Sequence, residues 1–249
     1  MVDHSKMKLG RGFVKRDIRT LKLGNYLKKG LPPAPIATDW TTGVQNWGMM
    51  LNDQYGDCTI AAAAHAIQVW TAHAGAQVTL PDATILEYFE KWDGYDPKNP
   101  TSDHGGSELN VLNQWRKGAL GSHKLIAFAD PAYNNLDEIR QAITLFGGVY
   151  IGVELPVTAQ TQDIWDVAPN GGADAKSGSW GGHAVFVPKY DATSFTCVTW
   201  GQLKQMTIAF WNAYVDEAHA LLSSDWFAAK GSPSGFALAQ LKADLGLIT

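Results

Sequence analysis

Apolar and polar positions divide the chain into a helical first half and a strand-rich second half. The run Thr59-Ile60-Ala61-Ala62-Ala63-Ala64-His65-Ala66-Ile67 predicts a helix from about Asp57 to His73, with Asp57 as its N-cap. Pro81-Asp82 opens a second helix, about residues 83–92, carrying Ile85, Leu86, Tyr88 and Phe89. Ser107 with Glu108 opens a third, to about Gly118, and Asn135 caps a fourth over residues 136–146, ended by Gly147-Gly148. Residues 125–129 read as a short strand and 149–155 as a buried one. A long, glycine-rich stretch follows over residues 156–182, the kind of loop that usually serves function. Residues 183–187 and 195–200 then predict an antiparallel hairpin turned at 190–193. A helical segment from Thr207 to about Ala213, a strand over 218–222 and a short helix within 233–247 complete the pattern. Helices first and strands later indicate an α+β fold rather than alternating α/β units.

Residues 1–30 stand outside this pattern. They read as an extended arm with at most one helical turn, and Leu31-Pro32-Pro33-Ala34-Pro35 is a stiff linker leading into one domain over 31–249. The arm holds nine Lys/Arg against two Asp, whereas the remainder holds eleven Lys/Arg against 22 Asp/Glu. A basic arm on an acidic body could wrap that body, dock on a neighbouring subunit or bind polyanions. With only Phe13 and Tyr26 as aromatics, it argues little for nucleic acid. The expectation is that it tethers or assembles copies of the chain into a homo-oligomer rather than inhibiting.

The 249 residues, 45% of them hydrophobic, suffice for one large core or two lobes sharing a cleft. No apolar run approaches the roughly 20 residues that span a bilayer. Met1 leads into charged residues, so the expected compartment is cytoplasmic by default. Two cysteines, Cys58 and Cys197, make no disulfide framework. No Cys/His spacing suggests zinc and no glycine loop suggests a phosphate cofactor, so no metal or cofactor is expected. His65 reads as a packed histidine, Cys197 as a core residue, and Trp200, Trp211 and Trp226 as core or lobe-interface residues.

The candidate chemistry centres on Asn52-Asp53-Gln54-Tyr55-Gly56-Asp57-Cys58. A polar turn delivers one thiol to a helix N-terminus, where the helix dipole favours the thiolate. The same placement suits a small buried residue packing a helix start, and the stretch alone does not separate the two. His183 follows two glycines and begins an apolar strand, where a base could face a cleft. A single cysteine with a distant histidine is a candidate nucleophile–base pair.

Several segments, in order, resemble the papain-like cysteine peptidases over about residues 35–205. Ala37-Thr38-Asp39-Trp40 resembles the start of the mature family domain, and Asp39 lies 19 residues before Cys58, as that family has it. Asn52, Gly56 and Cys58 fall in the places of the family's Gln, Gly and Cys. His104-Gly105-Gly106 is similar to the family's Cys-x-Gly-Gly loop, Gly182-His183-Ala184-Val185 to its histidine strand, and Val198-Thr199-Trp200-Gly201 to its Asn-Ser-Trp-Gly motif. The resemblance implies two lobes, an N-terminal helical one with Cys58 and a C-terminal antiparallel β lobe with His183. It implies thiol-dependent hydrolysis of peptide bonds through an acyl-thioester, on a peptide or protein substrate. Gly105 and Gly106 would bind the substrate backbone and Trp200 would shield the imidazole. Asn52 stands where the family has its oxyanion glutamine, and Gln54 lies two residues on as a substitute donor. Val198 stands at the orienting asparagine, leaving Thr199 or Asp191 to hold the imidazole. These departures keep open a second reading, in which the chain is a catalytically impaired structural or binding subunit assembled through its arm.

Overall fold

The structure, a computed structural model, describes residues 3–231 and 233–247; residues 1–2, 232 and 248–249 of the arm and domain lie outside the described part. Its elements are β1 (Thr38–Asp39), α1 (Cys58–His73), α2 (Asp82–Tyr88), α3 (Glu108–Lys117), β2 (Leu125–Ala129), α4 (Leu136–Phe146), β3 (Val149–Leu155), β4 (Gly181–Tyr190), β5 (Ser194–Thr199), β6 (Gln202–Thr207), α5 (Ile208–Tyr214), β7 (Val215–Ser223), α6 (Ser224–Lys230) and α7 (Leu238–Leu247). The strands form one antiparallel sheet in the order β2-β7-β3-β4-β5-β6, with β1 added on β4. No helix of the described residues is long and apolar enough to cross a membrane.

The central strands β3 and β4 are apolar at nearly every position because both faces of the sheet are covered. Tyr150, Ala184 and Phe186 point into a core shared with α1, α2 and α3, while Val149, Ile151, Val153, Val185 and Val187 point into a second core under α5. Helix α1 is buried along almost its whole length, which explains why its sequence is apolar all round rather than striped. Asn135 accepts from the Glu138 amide and Gly147 takes φ 81°, so α4 starts and stops where its residues predict.

The differences from expectation have local causes. Helix α2 ends at Tyr88 and one wider turn carries the chain from Phe89 to Asp93. The β4–β5 hairpin is longer than its apolar core, running from Gly181 to Thr199. Strand β6 was not anticipated: its residues, Gln-Leu-Lys-Gln-Met-Thr, lack an apolar run because it is an edge strand. Helix α6 and the two-residue β1 were likewise not anticipated. Neither Asp57 nor Ser107 caps with its side chain; both positions start helices through backbone geometry alone.

Candidate active site

Helix α1 begins at Cys58 and packs on β4, which brings the thiol to the start of the histidine strand. The Ala184 amide donates to Cys58 Sγ at 3.4 Å. His183, the preceding residue, holds its ring between two supports: Nε2 lies 2.7 Å from Thr199 Oγ1, and Trp200 stacks on the ring at 4.7 Å between centroids. Nδ1 is buried and has no hydrogen-bond partner. Thr199 is thus the side chain that meets the imidazole, while Val198 points into core and Asp191 caps the β4–β5 turn. Trp200 reaches the imidazole from a tight two-residue turn with Gly201, both at positive φ (46° and 71°). Met50 and Leu51, at φ 54° and 65°, are the other non-glycine residues in this region of backbone space among those described, and they lead directly into Asn52. Strained backbone of this kind gathers at functional sites, and nothing in the sequence announces it.

The other expected residues fall less evenly. Asn52 is buried, and its amide donates to Tyr55 O at 3.2 Å and to Asp57 Oδ1 at 3.1 Å. Gln54 is exposed. Gly105 and Gly106 lie against the arm at Gly10 and Gly12. His65 is packed against Gly48 O, as expected of a core histidine.

The arm produces the largest departure. Of the uses its charge leaves open, wrapping its own body is the one seen: expected to tether or assemble rather than inhibit, it lies across its own cleft. Lys8 N–H donates to Asn52 O (3.3 Å), Gly106 N–H to Gly10 O (2.7 Å), Arg11 N–H to Gly182 O (3.0 Å) and Gly12 N–H to Gly106 O (2.8 Å). Trp200 Nε1 donates to Lys8 O at 3.3 Å. The fit at Gly10 leaves no space: an added Cβ would come 1.8 Å from Gly56 O, and one on Gly105 1.8 Å from Gly10 O. The Gly10 amide, close to the thiol, works toward the thiolate.

Under this cover the electrostatics reverse what the helix dipole alone promises. Burial raises the Cys58 thiol to about 12, outweighing the Ala184 and Gly10 amides that favour the thiolate. Burial lowers His183 to about 3, helped by the nearby Arg11 charge. Burial thus holds both the thiol and the imidazole toward their neutral forms.

Arg11 enters a recess lined with carboxylates. Its Nη1 donates to Glu217 Oε1 (2.8 Å), and Nη2 to Glu154 Oε1 (2.6 Å) and Asp216 Oδ2 (2.9 Å). Beside it, Glu108, Glu217 and His219 each bring a ligand-type atom within 4.8 Å of the others. Burial pushes the Glu108 carboxyl well above its usual range. Burial would lower His219, but the carboxylates of Asp130, Glu217 and Glu108 raise it to about 10. A raised histidine contributes its stability in full below the unfolded value of 6.5 and loses it as pH climbs toward 10. Stability should fall from pH ~6.5 to ~10 by at most ~1.4 kcal/mol per pH unit, and His219→Gln should flatten that slope in urea titrations. An unchanged slope in the variant would remove His219 from the account.

The sequence matches no family model and no curated protein. The fold does find counterparts. Xylellain, a cysteine protease from Xylella fastidiosa, aligns with a TM-score of 0.64 at 15% identity over 89% of this chain and 98% of that one. Procathepsin B S9 from Trypanosoma congolense aligns at 0.60 and 12%, covering 89% and 88%. The cysteine protease and lectin-like domains of Cwp84 from Clostridium difficile align at 0.59 and 11%, covering 89% and 57%. The chain thus has the papain-like α+β fold, with helices first and an antiparallel sheet after, in a strongly diverged sequence.

Proposed function

We propose that the chain is a thiol-dependent hydrolase of peptide bonds, latent while its arm covers the cleft. The observation that carries this reading is the His183 ring, braced by Thr199 and Trp200 with Nδ1 unpartnered, next to a residue whose amide touches Cys58 Sγ. With the arm displaced, the thiol proton passes to Nδ1 and the sulfur attacks a carbonyl carbon. The C–N bond breaks, the imidazolium returns the proton to the leaving amine, and water hydrolyses the thioester to an acid and the free thiol. The Cys58 backbone N–H supplies one oxyanion donor; Asn52, held by Tyr55 and Asp57, must turn to supply a second. That commitment of Asn52 favours the second reading, a papain-like subunit without thiol chemistry.

Prolonged incubation at neutral pH with a peptidyl thiol electrophile, followed by intact mass, separates the two. The hydrolase takes up one equivalent, none in Cys58→Ala, and reacts more slowly as His183→Ala. No uptake, or uptake indifferent to His183, supports the inert subunit. Thr199→Val frees the imidazole from its brace and should slow labelling about tenfold or more; an unchanged rate would show that Thr199 does not orient His183.

A further inference from the structure

The recess that holds Arg11 is built for more than a structural ion pair. Three carboxylates, one from β3 and two from β7, meet the two terminal nitrogens of one guanidinium: Glu217 on Nη1, Glu154 and Asp216 on Nη2. This planar fork suits a guanidinium better than the point charge of a lysine. The Arg11 side chain is fully buried there, and its Nε, unpartnered, is also buried. Glu108 lies alongside with both oxygens buried and without a hydrogen bond, its Oε2 3.7 Å from His219 Nε2. The wall is Gly152 of β3, where an added Cβ would lie 2.6 Å from Arg11 Nη1 and 2.8 Å from Glu108 Oε1. A side chain at that position would fill the space the guanidinium takes.

The backbone around Arg11 is held as a bound peptide is held. Gly106 grips it on both sides, through Gly10 O and Gly12 N–H, and Gly182 takes its amide. Arg11 is therefore presented by an extended segment whose main chain makes sequence-independent hydrogen bonds, with its side chain in a dedicated pocket. That is how strand-like peptide recognition divides affinity from specificity. An emptied recess would leave the buried Glu217 with His219 beside it but without the guanidinium, and Glu154 and Asp216, about a third exposed, turned to water. Whatever replaces the arm is favoured if it brings a guanidinium of its own.

We infer that the recess formed by Glu108, Glu154, Asp216 and Glu217 against Gly152 is an arginine-binding subsite, and that the cleft takes extended peptides whose arginine replaces Arg11. The arm is the occupant supplied in cis. This inference rests on the proposed hydrolase only for its consequence, a preference for arginine-containing substrates; the binding itself does not involve the thiol.

The test uses the full chain carrying Gly10→Ala, whose new Cβ cannot fit against Gly56. It is titrated calorimetrically with acetyl-Leu-Gly-Arg-Gly-amide and with the peptide in which citrulline, a neutral isostere, replaces arginine. Losing one partner of a buried charge pair typically costs about 2–5 kcal/mol, so the arginine peptide should bind about thirtyfold tighter or more. Adding Glu217→Gln should shrink that ratio to a few-fold. Equal affinities for the two peptides overturn the inference. Should the arm stay in place or the variant not fold, full-length Arg11→Ala is melted with ethylguanidinium or the neutral ethylurea. A rise of several degrees with the cation alone supports the subsite, and equal responses overturn it. Neither readout uses Cys58. Failure of thiol labelling with these results intact would remove the hydrolase and leave the subsite.

Discussion

Gly10→Ala should raise the reactivity of Cys58 at neutral pH, by up to about a thousandfold. The arm touches the cleft floor through glycine backbones, and a Cβ at Gly10 would stand 1.8 Å from Gly56 O. No side-chain rotation relieves a clash with backbone, so the segment must lift. Lifting it readmits water to a thiol that burial has raised to about 12 from an ordinary 9.0, and three pKa units correspond to about a thousandfold in thiolate population. His183, lowered to about 3 by the same burial, regains the ability to hold a proton. The variant is therefore expected to show a reactive thiol in stopped-time alkylation where the wild type shows a slow one. Equal rates would mean that the arm does not control the site.

Arg11→Ala should lower the melting temperature by about 6–12 °C. Breaking a buried ion pair by removing one partner costs about 3–5 kcal/mol. The low end applies, because Glu154 and Asp216 are about a third exposed and gain water when the guanidinium goes. For a chain of this size, about 3 kcal/mol corresponds to roughly 6–12 °C. Arg11→Lys keeps the charge but not the fork and should fall between. A melting temperature within 1–2 °C of wild type, roughly the shift expected from a neutral surface change, would show that the arm docks through its backbone alone.

Much of the fold was legible because local signals agreed with the final environment. The Asn135 cap and Gly147 stop bounded α4, and the apolar runs of β3 and β4 signalled strands covered on both faces. In the candidate site, the placement of Cys58, His183 and Trp200 at or near element ends was legible from local motifs. Thr199 over Val198 needed the strand register, which turns one neighbour to the imidazole and the other to the core. The arm was not legible. Its fit depends on Gly10, Gly56 and Gly105, whose backbones touch only in the fold, and on Arg11 partners 143 to 206 residues away. Charge counting exposed a basic arm on an acidic body but could not say that a single arginine would find the acids. The thiol pKa was misjudged for the same reason: a helix N-terminus favours thiolate only while water can reach it, and here the arm covers it.

The central claim is that Cys58 and His183 form a working nucleophile–base pair sealed by the arm. It is tested most directly by the pH profile of iodoacetamide alkylation of Cys58 in Gly10→Ala, with and without His183→Ala. The account predicts fast alkylation that persists below pH 7 and depends on His183. A profile that follows an ordinary thiol, rising only near pH ~8.5 and unchanged without His183, would contradict it.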